Sequence, residues 1–403
     1  MKLIIGRSDT RWSEKLIALT AGLGFYAKQF YFGASGSLQI GDIILMISVV
    51  LALLVYGLRL EKRDLPFLMF ILASMIINGI YYISSSDIRF NLSVLFMLYN
   101  GIAVLLLFRP SISCDYFLST IRSSCKLVLI TQLLLLATGI GKWAYLGTRY
   151  IGTFNDPNQY GFYVLSCFFC IYVISVIRRE RMNIIWIFLV AAEILPSAST
   201  GMIAMYLIFN VGFVVGLNTV ENKQVNKKQT LAVVLFSVFV IIVVIFYKQI
   251  LTFLGELNIF GVGRIVQRLT ASSTVGGLGL DFLEDRGLMR TIELPHYFIY
   301  GSGEGGWLRF KSIFNEGYEI HSTVIGLAYY YGIIPYCLLV RWVYSNVKKL
   351  VTSVIFVYIA LFLEALTLIN HRQPIFWFLI VLASHSALKR VSGFSTNKKN
   401  TYN

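Results

Sequence analysis

The sequence predicts an all-α integral membrane protein with about twelve transmembrane helices. Three observations lead there. Of 403 residues, 57% are hydrophobic and only 14% charged, against about a quarter charged in an ordinary soluble domain. Apolar runs of spanning length follow one another along most of the chain. Lysine and arginine gather in alternate connections, the pattern expected when those connections stay in the cytoplasm.

The apolar runs place helices near 15–34, 39–58, 65–84, 90–108, 117–140, 159–177, 182–196, 200–217, 230–250, 322–344, 350–369 and 374–388. The polar, basic N-terminus has no short apolar core followed by a small-residue cleavage site, so no cleaved signal peptide is expected. The seventh run is short and ends at Pro196. The first carries Lys28 in its interior, a costly placement unless the amine faces protein or water. The whole chain reads as one polytopic domain. Its segment 251–321 forms a loop subdomain, and a polar tail from Gly393 (393–403) is expected to be flexible and cytoplasmic.

Orientation follows from the basic connections: Arg59 to Arg63, Arg109, Arg178 to Arg181, Lys223 to Lys228, Arg341 to Lys349, and Lys389 onward. These and both termini are assigned to the cytoplasm. The connections at 141–158, 248–321 and 370–373 then lie outside. Topology thereby absorbs much of the formal charge of +15, and no nucleic-acid partner is required. Cys167 and Cys170 form a CxxC one turn apart in an apolar run, with no second ligand pair nearby. Small buried hydrophobes are the plain reading.

The 248–321 connection, roughly seventy residues, is far longer than usual, and loops of that size are normally functional or folded in their own right. It holds Arg264, Arg268, Arg286 and Arg290 among several carboxylates, including Glu304 and Glu319. Arg286 and Arg290 would share one face if their segment is helical. Guanidinium groups there suit bidentate clamping of phosphate oxygens, although pairing with Glu284, Asp285 or Glu293 is the plainer reading. Gly301-Ser302-Gly303-Glu304-Gly305-Gly306 lacks the Lys-Ser/Thr ending of a nucleotide-binding loop and follows no strand of an α/β unit. It reads as a turn that lets another segment approach closely.

Other outer elements bear on the same chemistry. Asp156-Pro157-Asn158 is turn sequence, with Asn158 as the expected helix cap. A helix start facing outward also offers amide groups to an anion, with Arg149 beside it. Ser197 to Gly201 reads either as the cap of the next helix or as part of that site. Glu319-Ile320-His321 heads another helix, and an imidazole titrating near neutrality can take a proton from a sugar hydroxyl. No paired Asp-x-Asp stands out to hold a metal.

Taken in order, these residues resemble the O-antigen ligase and Wzy-type O-antigen polymerase superfamily. The resemblance rests on Gly152 to Gly161, on Arg286 ahead of Tyr300-Gly301-Ser302-Gly303, and on His321 heading a helix with Gly332 further along. It implies a GT-C-like glycosyltransferase of the bacterial inner membrane. Such an enzyme takes an undecaprenyl-pyrophosphate-linked glycan on the periplasmic face, without metal or other cofactor. It implies His321 as general base and Arg286 as the pyrophosphate contact, with Arg290 as a second and Asn158 and Glu319 in support. The family often reads Ser-Arg where this chain has Ser199-Thr200, so Arg149, Arg264 or Arg290 would replace the missing ligand. The family also commonly has Asn after the histidine, where this chain has Ser322.

The expected activity is polysaccharide polymerisation onto a lipid-linked repeat unit. Transfer to lipid A core by a ligase is the near alternative. A lipid-linked oligosaccharide flippase is the distant one, drawing on Lys28 as an interior cation. Besides the bilayer, a chain-length regulator and a flippase are the partners this reading allows.

Overall fold

The computed structural model describes residues 9–31, 39–144, 147, 149–180, 182–217, 286–310 and 319–397. The helices are α1 (Asp9–Ala27), α2 (Ile40–Tyr56), α3 (Leu65–Ser85) and α4 (Ile88–Ile102). The last runs on through a π-helical turn at Ala103–Phe108 to Ser111. Then come α5 (Asp115–Ala137), the strands β1 (Lys142–Ala144) and β2 (Arg149–Gly152), α6 (Pro157–Arg178), α7 (Ile185–Ile194) and α8 (Thr200–Leu217). Two short loop helices follow, α9 (Met289–Glu293) and α10 (Tyr297–Tyr300), before α11 (Thr323–Tyr331), α12 (Ile333–Val347), α13 (Thr352–Ala365) and α14 (Pro374–Asn397). The expected span at 230–250 and most of the long loop, Arg264 included, lie outside the described residues.

Four stretches, Lys62–Ser85, Ile88–Ser111, Asp115–Ala137 and Pro157–Arg178, are long and apolar enough to cross a membrane. The helices carry apolar side chains outward: Leu19, Leu23, Ile47, Leu54, Ile76 and Ile83 are all exposed. A water-soluble protein rarely shows such a surface, whereas hydrocarbon solvates it without cost. α6 differs. Nearly all its residues from Tyr160 to Ile174 are buried, so it runs through the middle of the bundle.

The expected span 322–344 is broken. Gly332 (φ +75°) separates α11 from α12, and Pro335 sits in the first turn of α12, where its missing N–H costs little. α11 alone reaches only about 14 Å, half a bilayer core. The break frees carbonyls at the end of α11, and the loop uses them: the amides of Ser302 and Gly303 donate to Tyr329 O (3.0 Å) and Tyr330 O (2.8 Å). A Cβ on Gly301 would lie 2.7 Å from that Tyr330 oxygen, so the glycine-rich stretch is indeed a place of close approach. At the far end, α14 continues to Asn397, past Gly393.

Two buried ion pairs tie the bundle. Lys28 donates to Asp42 at 2.5 Å, and Tyr99 donates to the other Asp42 oxygen at 2.8 Å. Arg109, expected as an ordinary charge of a cytoplasmic connection, is instead buried. Its guanidinium donates to Asp64 (2.6 Å), Asn346 (2.9 Å) and Ser384 (2.8 Å), joining α3, α4, α12 and α14. Cys125, Cys167 and Cys170 are buried free thiols.

Candidate functional site

The site begins at the start of α6. Pro157 takes the first helical position, for which its fixed φ and missing N–H suit it, and this sets the cap one residue earlier. Asp156, not Asn158, is therefore the cap. Its carboxylate accepts from the amides of Asn158 (2.8 Å) and Gln159 (3.1 Å). Those amides are taken, which corrects the expectation that they would hold an external anion. Asn158 is released for another task. Its Oδ1 accepts from Arg149 Nη2 (3.1 Å) and from Ser199 Oγ (2.9 Å), while Arg149 Nε donates to Ser197 O (2.8 Å). Arg149, held on strand β2 and buried, thus stitches β2, α6 and the 197–199 turn together. Ser199 serves this junction through its hydroxyl.

The long loop enters the description at Arg286. A turn at Gly287 separates it from α9, so Arg286 and Arg290 do not lie on one helical face as their spacing suggested. Arg286 donates to Thr367 O after the end of α13, and its own carbonyl accepts from the His321 amide at 2.9 Å. Arg290 turns inward and is buried. Its guanidinium lies 5.4 Å from the Phe310 ring centre and 6.0 Å from that of Tyr330. Arg290 is a cation packed on aromatic faces rather than one presented outward.

His321 follows from the backbone upward. Ser322 caps α11, its Oγ accepting from Ile325 N at 3.1 Å, and the adjacent Thr323 amide donates to Leu368 O at 2.8 Å. The Ile320 amide donates to Tyr330 Oη at 2.8 Å. His321 is therefore fixed on both sides by main-chain bonds, while its imidazole makes no side-chain hydrogen bond among the described residues. Burial lowers its pKa, and the nearby Arg286 charge lowers it further, against opposing pulls from Glu319 and Asp156. The structure thus gathers His321, Arg286, Glu319 and Asp156 in one neighbourhood. Arg149 and Asn158 are bonded to each other at the start of α6, and Arg290 lies against Tyr330, whose hydroxyl accepts from the Ile320 amide.

Glu319 is held by a residue not singled out from the sequence. Arg372, in the turn between α13 and α14, donates Nη1 and Nη2 to the two Glu319 oxygens, both at 2.9 Å. The same guanidinium donates Nε (2.9 Å) and Nη2 (2.7 Å) to Glu304 Oε1. Glu304 is buried and takes further bonds from His371 Nε2 (3.0 Å) and Tyr331 Oη (2.7 Å). Burial alone would raise its carboxyl, but the charges of His371 and Arg372 outweigh that and hold it well below the ordinary carboxylate range. Its amide is anchored to Asn78 Oδ1 at 2.9 Å. Arg372 did carry one signal: it is a cation on a turn assigned to the side that the positive-inside rule leaves poor in Lys and Arg.

Chemically, the arrangement offers an imidazole that no other side chain engages among the described residues, with the Arg286 and Arg372 charges beside it. Among the described residues no group of three His, Cys, Asp or Glu side chains is placed to hold a metal ion. Compared with known proteins, the chain matches no family model, no curated protein and no solved structure.

Proposed function

We propose that the chain is a membrane glycosyltransferase that polymerises a polysaccharide at the outer face of the bacterial inner membrane. In this reading about twelve GT-C-like helices span the bilayer. Both termini are cytoplasmic, and the 248–321 segment closes over the periplasmic end. The donor is a glycan on undecaprenyl pyrophosphate, and the acceptor is a lipid-linked repeat unit.

The observation that carries the reading is an imidazole that makes no side-chain hydrogen bond among the described residues, its pKa lowered, whose amide is bonded to the carbonyl of a neighbouring arginine. A lowered pKa leaves His321 neutral at pH 7, as a base must be. The acceptor hydroxyl gives its proton to His321 while its oxygen attacks the anomeric carbon. The bond from that carbon to the pyrophosphate oxygen breaks on the opposite face, and the configuration inverts. The leaving diphosphate keeps the bonding electrons, and Arg286 stabilises the added charge. A positioned base contributes about 10²–10⁴-fold, and a fixed charge at the developing anion a comparable factor. The Lys28–Asp42 pair weakens the flippase reading, because the interior cation on which it drew is already matched.

A glycan gel tests this. His321→Ala removes long-chain glycan without lowering the amount of membrane protein, and Arg286→Lys does the same because a point charge cannot replace the planar fork. A normal ladder from His321→Ala sinks the base assignment. In a strain lacking the protein, one repeat unit remaining on core marks a polymerase. Accumulation of lipid-linked polymer with bare core marks a ligase instead.

A further inference from the structure

Arg372 sits between two carboxylates of different character. Glu304 is closed in, its side chain 2% exposed, with four donor contacts on its two oxygens. Glu319 is 25% exposed and, among the described residues, has Arg372 as its only side-chain hydrogen-bond partner. The Glu304 side of the guanidinium is permanent, since breaking it would leave a buried carboxylate with too few donors. The Glu319 side is a bidentate fork on an accessible anion, and that fork fits two phosphate oxygens equally well. Of the other described cations of the neighbourhood, Arg149 is committed to Ser197 and Asn158 and Arg290 to aromatic faces, and Arg286, which donates to Thr367 O, is the cation already assigned above to the leaving group.

We propose that Arg372 is a phosphate-binding arginine masked by Glu319. An incoming diphosphate takes over the guanidinium edge that Glu319 occupies, and the displaced carboxylate turns its charge on His321, two residues away. The inference rests on the reading of a diphosphate-linked donor. Its consequence is an ordered site. The charged groups facing His321 are Arg286, Glu319, Asp156 and Arg372. With Arg372 on Glu319, the upward pull of the carboxylate on the imidazole is partly cancelled by the Arg372 charge. Once diphosphate has replaced it, the Glu319 charge favours the protonated ring, so His321 becomes the stronger base only with donor in place. No covalent bond changes in this exchange; one anion replaces another on the same fork.

The full-length protein in lipid nanodiscs tests it with inorganic pyrophosphate as probe. Glu319→Gln removes the competing charge and should bind pyrophosphate about tenfold more tightly by calorimetry, while Arg372→Lys should bind it about tenfold more weakly. A purely structural clamp gives unchanged or weaker binding in Glu319→Gln, and that result overturns the proposal. A second readout needs no variant of the clamp. The chain has four histidines, so ring-labelled protein allows His321 to be followed by NMR and assigned by loss of its signal in His321→Gln. Saturating pyrophosphate should raise the His321 pKa in the wild type; no rise overturns the proposal even if Glu319→Gln does not fold. Tighter binding of a polyprenyl pyrophosphate than of inorganic pyrophosphate marks the source as lipid-linked, and equal binding marks a free diphosphate site. A wild type that shows both effects yet transfers no glycan keeps the masked arginine and removes the transferase. An active wild type that shows neither removes the masked arginine alone.

Discussion

Two arginines in this bundle are each held by a buried carboxylate, and they differ in one respect. Arg109 is enclosed by Asp64, Asn346 and Ser384, with the ion pair 2% and 1% exposed. The Trp342 indole adds a donor to Asp64 at 2.9 Å. Every partner comes from a long helix or its end. Arg372 has an equally buried partner in Glu304 but is itself 18% exposed and reaches a second carboxylate at 25%. The first network is closed on all sides and can only hold helices together. The second is closed on one side and open on the other, so part of it can exchange. Burial of the partner alone does not separate a strut from a site; the accessible second anion does.

The widest test of that contrast is Asp64→Ala. It strands Arg109 in the interior and should cost about 3–5 kcal/mol, seen as loss of folded protein or a sharply lowered Tm in detergent. A wild-type Tm would mean that the enclosed network is not a strut. Next comes His321→Gln, which should cut glycan transfer by about 10²–10⁴-fold with the Tm unchanged; a parallel loss of stability would make His321 structural as well. Glu319→Gln should shift unfolding by about 1 kcal/mol or less, as befits a partly exposed pair. A cost matching that of Asp64→Ala would erase the difference between the two networks.

The smallest expected effect is on the pH profile. The folded pKa of His321 lies below its ordinary value of 6.5. In the proposed reaction the neutral ring is the base, so transfer should hold through pH 7 and fall only as pH drops through that lowered value. Arg286 disfavours the charged ring, so Arg286→Gln should raise the pKa and move the acid limb of the normalised profile to higher pH. A limb that stays in place would show that burial alone sets the proton affinity.

Most of the helical plan could be read from apolar runs because each run is a local signal. The interior charge of Lys28 demanded a partner, and Asp42 supplies it from the next helix. Gly332 and Pro335 announced the break in the tenth run, although length alone had read through them. Arg109 was misjudged because its position at a helix end looks like a loop, and nothing nearby in sequence reveals Asp64, Asn346 or Ser384. The start of α6 was half legible. The turn was evident, but proline's preference for the first helical position moved the cap to Asp156. Among the candidate site residues, His321 stood out in the sequence as an imidazole heading a helix, and Arg286 as one of two arginines four residues apart. Arg372 did not, since its carboxylate partners lie 68 and 53 residues away. Only its sign, on a short turn assigned to the outside, could have marked it.

The interruption at Gly332 has a consequence for how such a chain can change over time. The loop is fastened to the bundle at Ser302 and Gly303 by peptide groups, not by side chains. A seam of that kind depends on backbone shape more than on side-chain chemistry: its glycines must stay, since a Cβ on Gly301 would lie 2.7 Å from Tyr330 O, while the side chains around it carry neither of these two bonds. The exposed side chains around it are thereby left free to change while the fastening, and the imidazole close by, stay where they are.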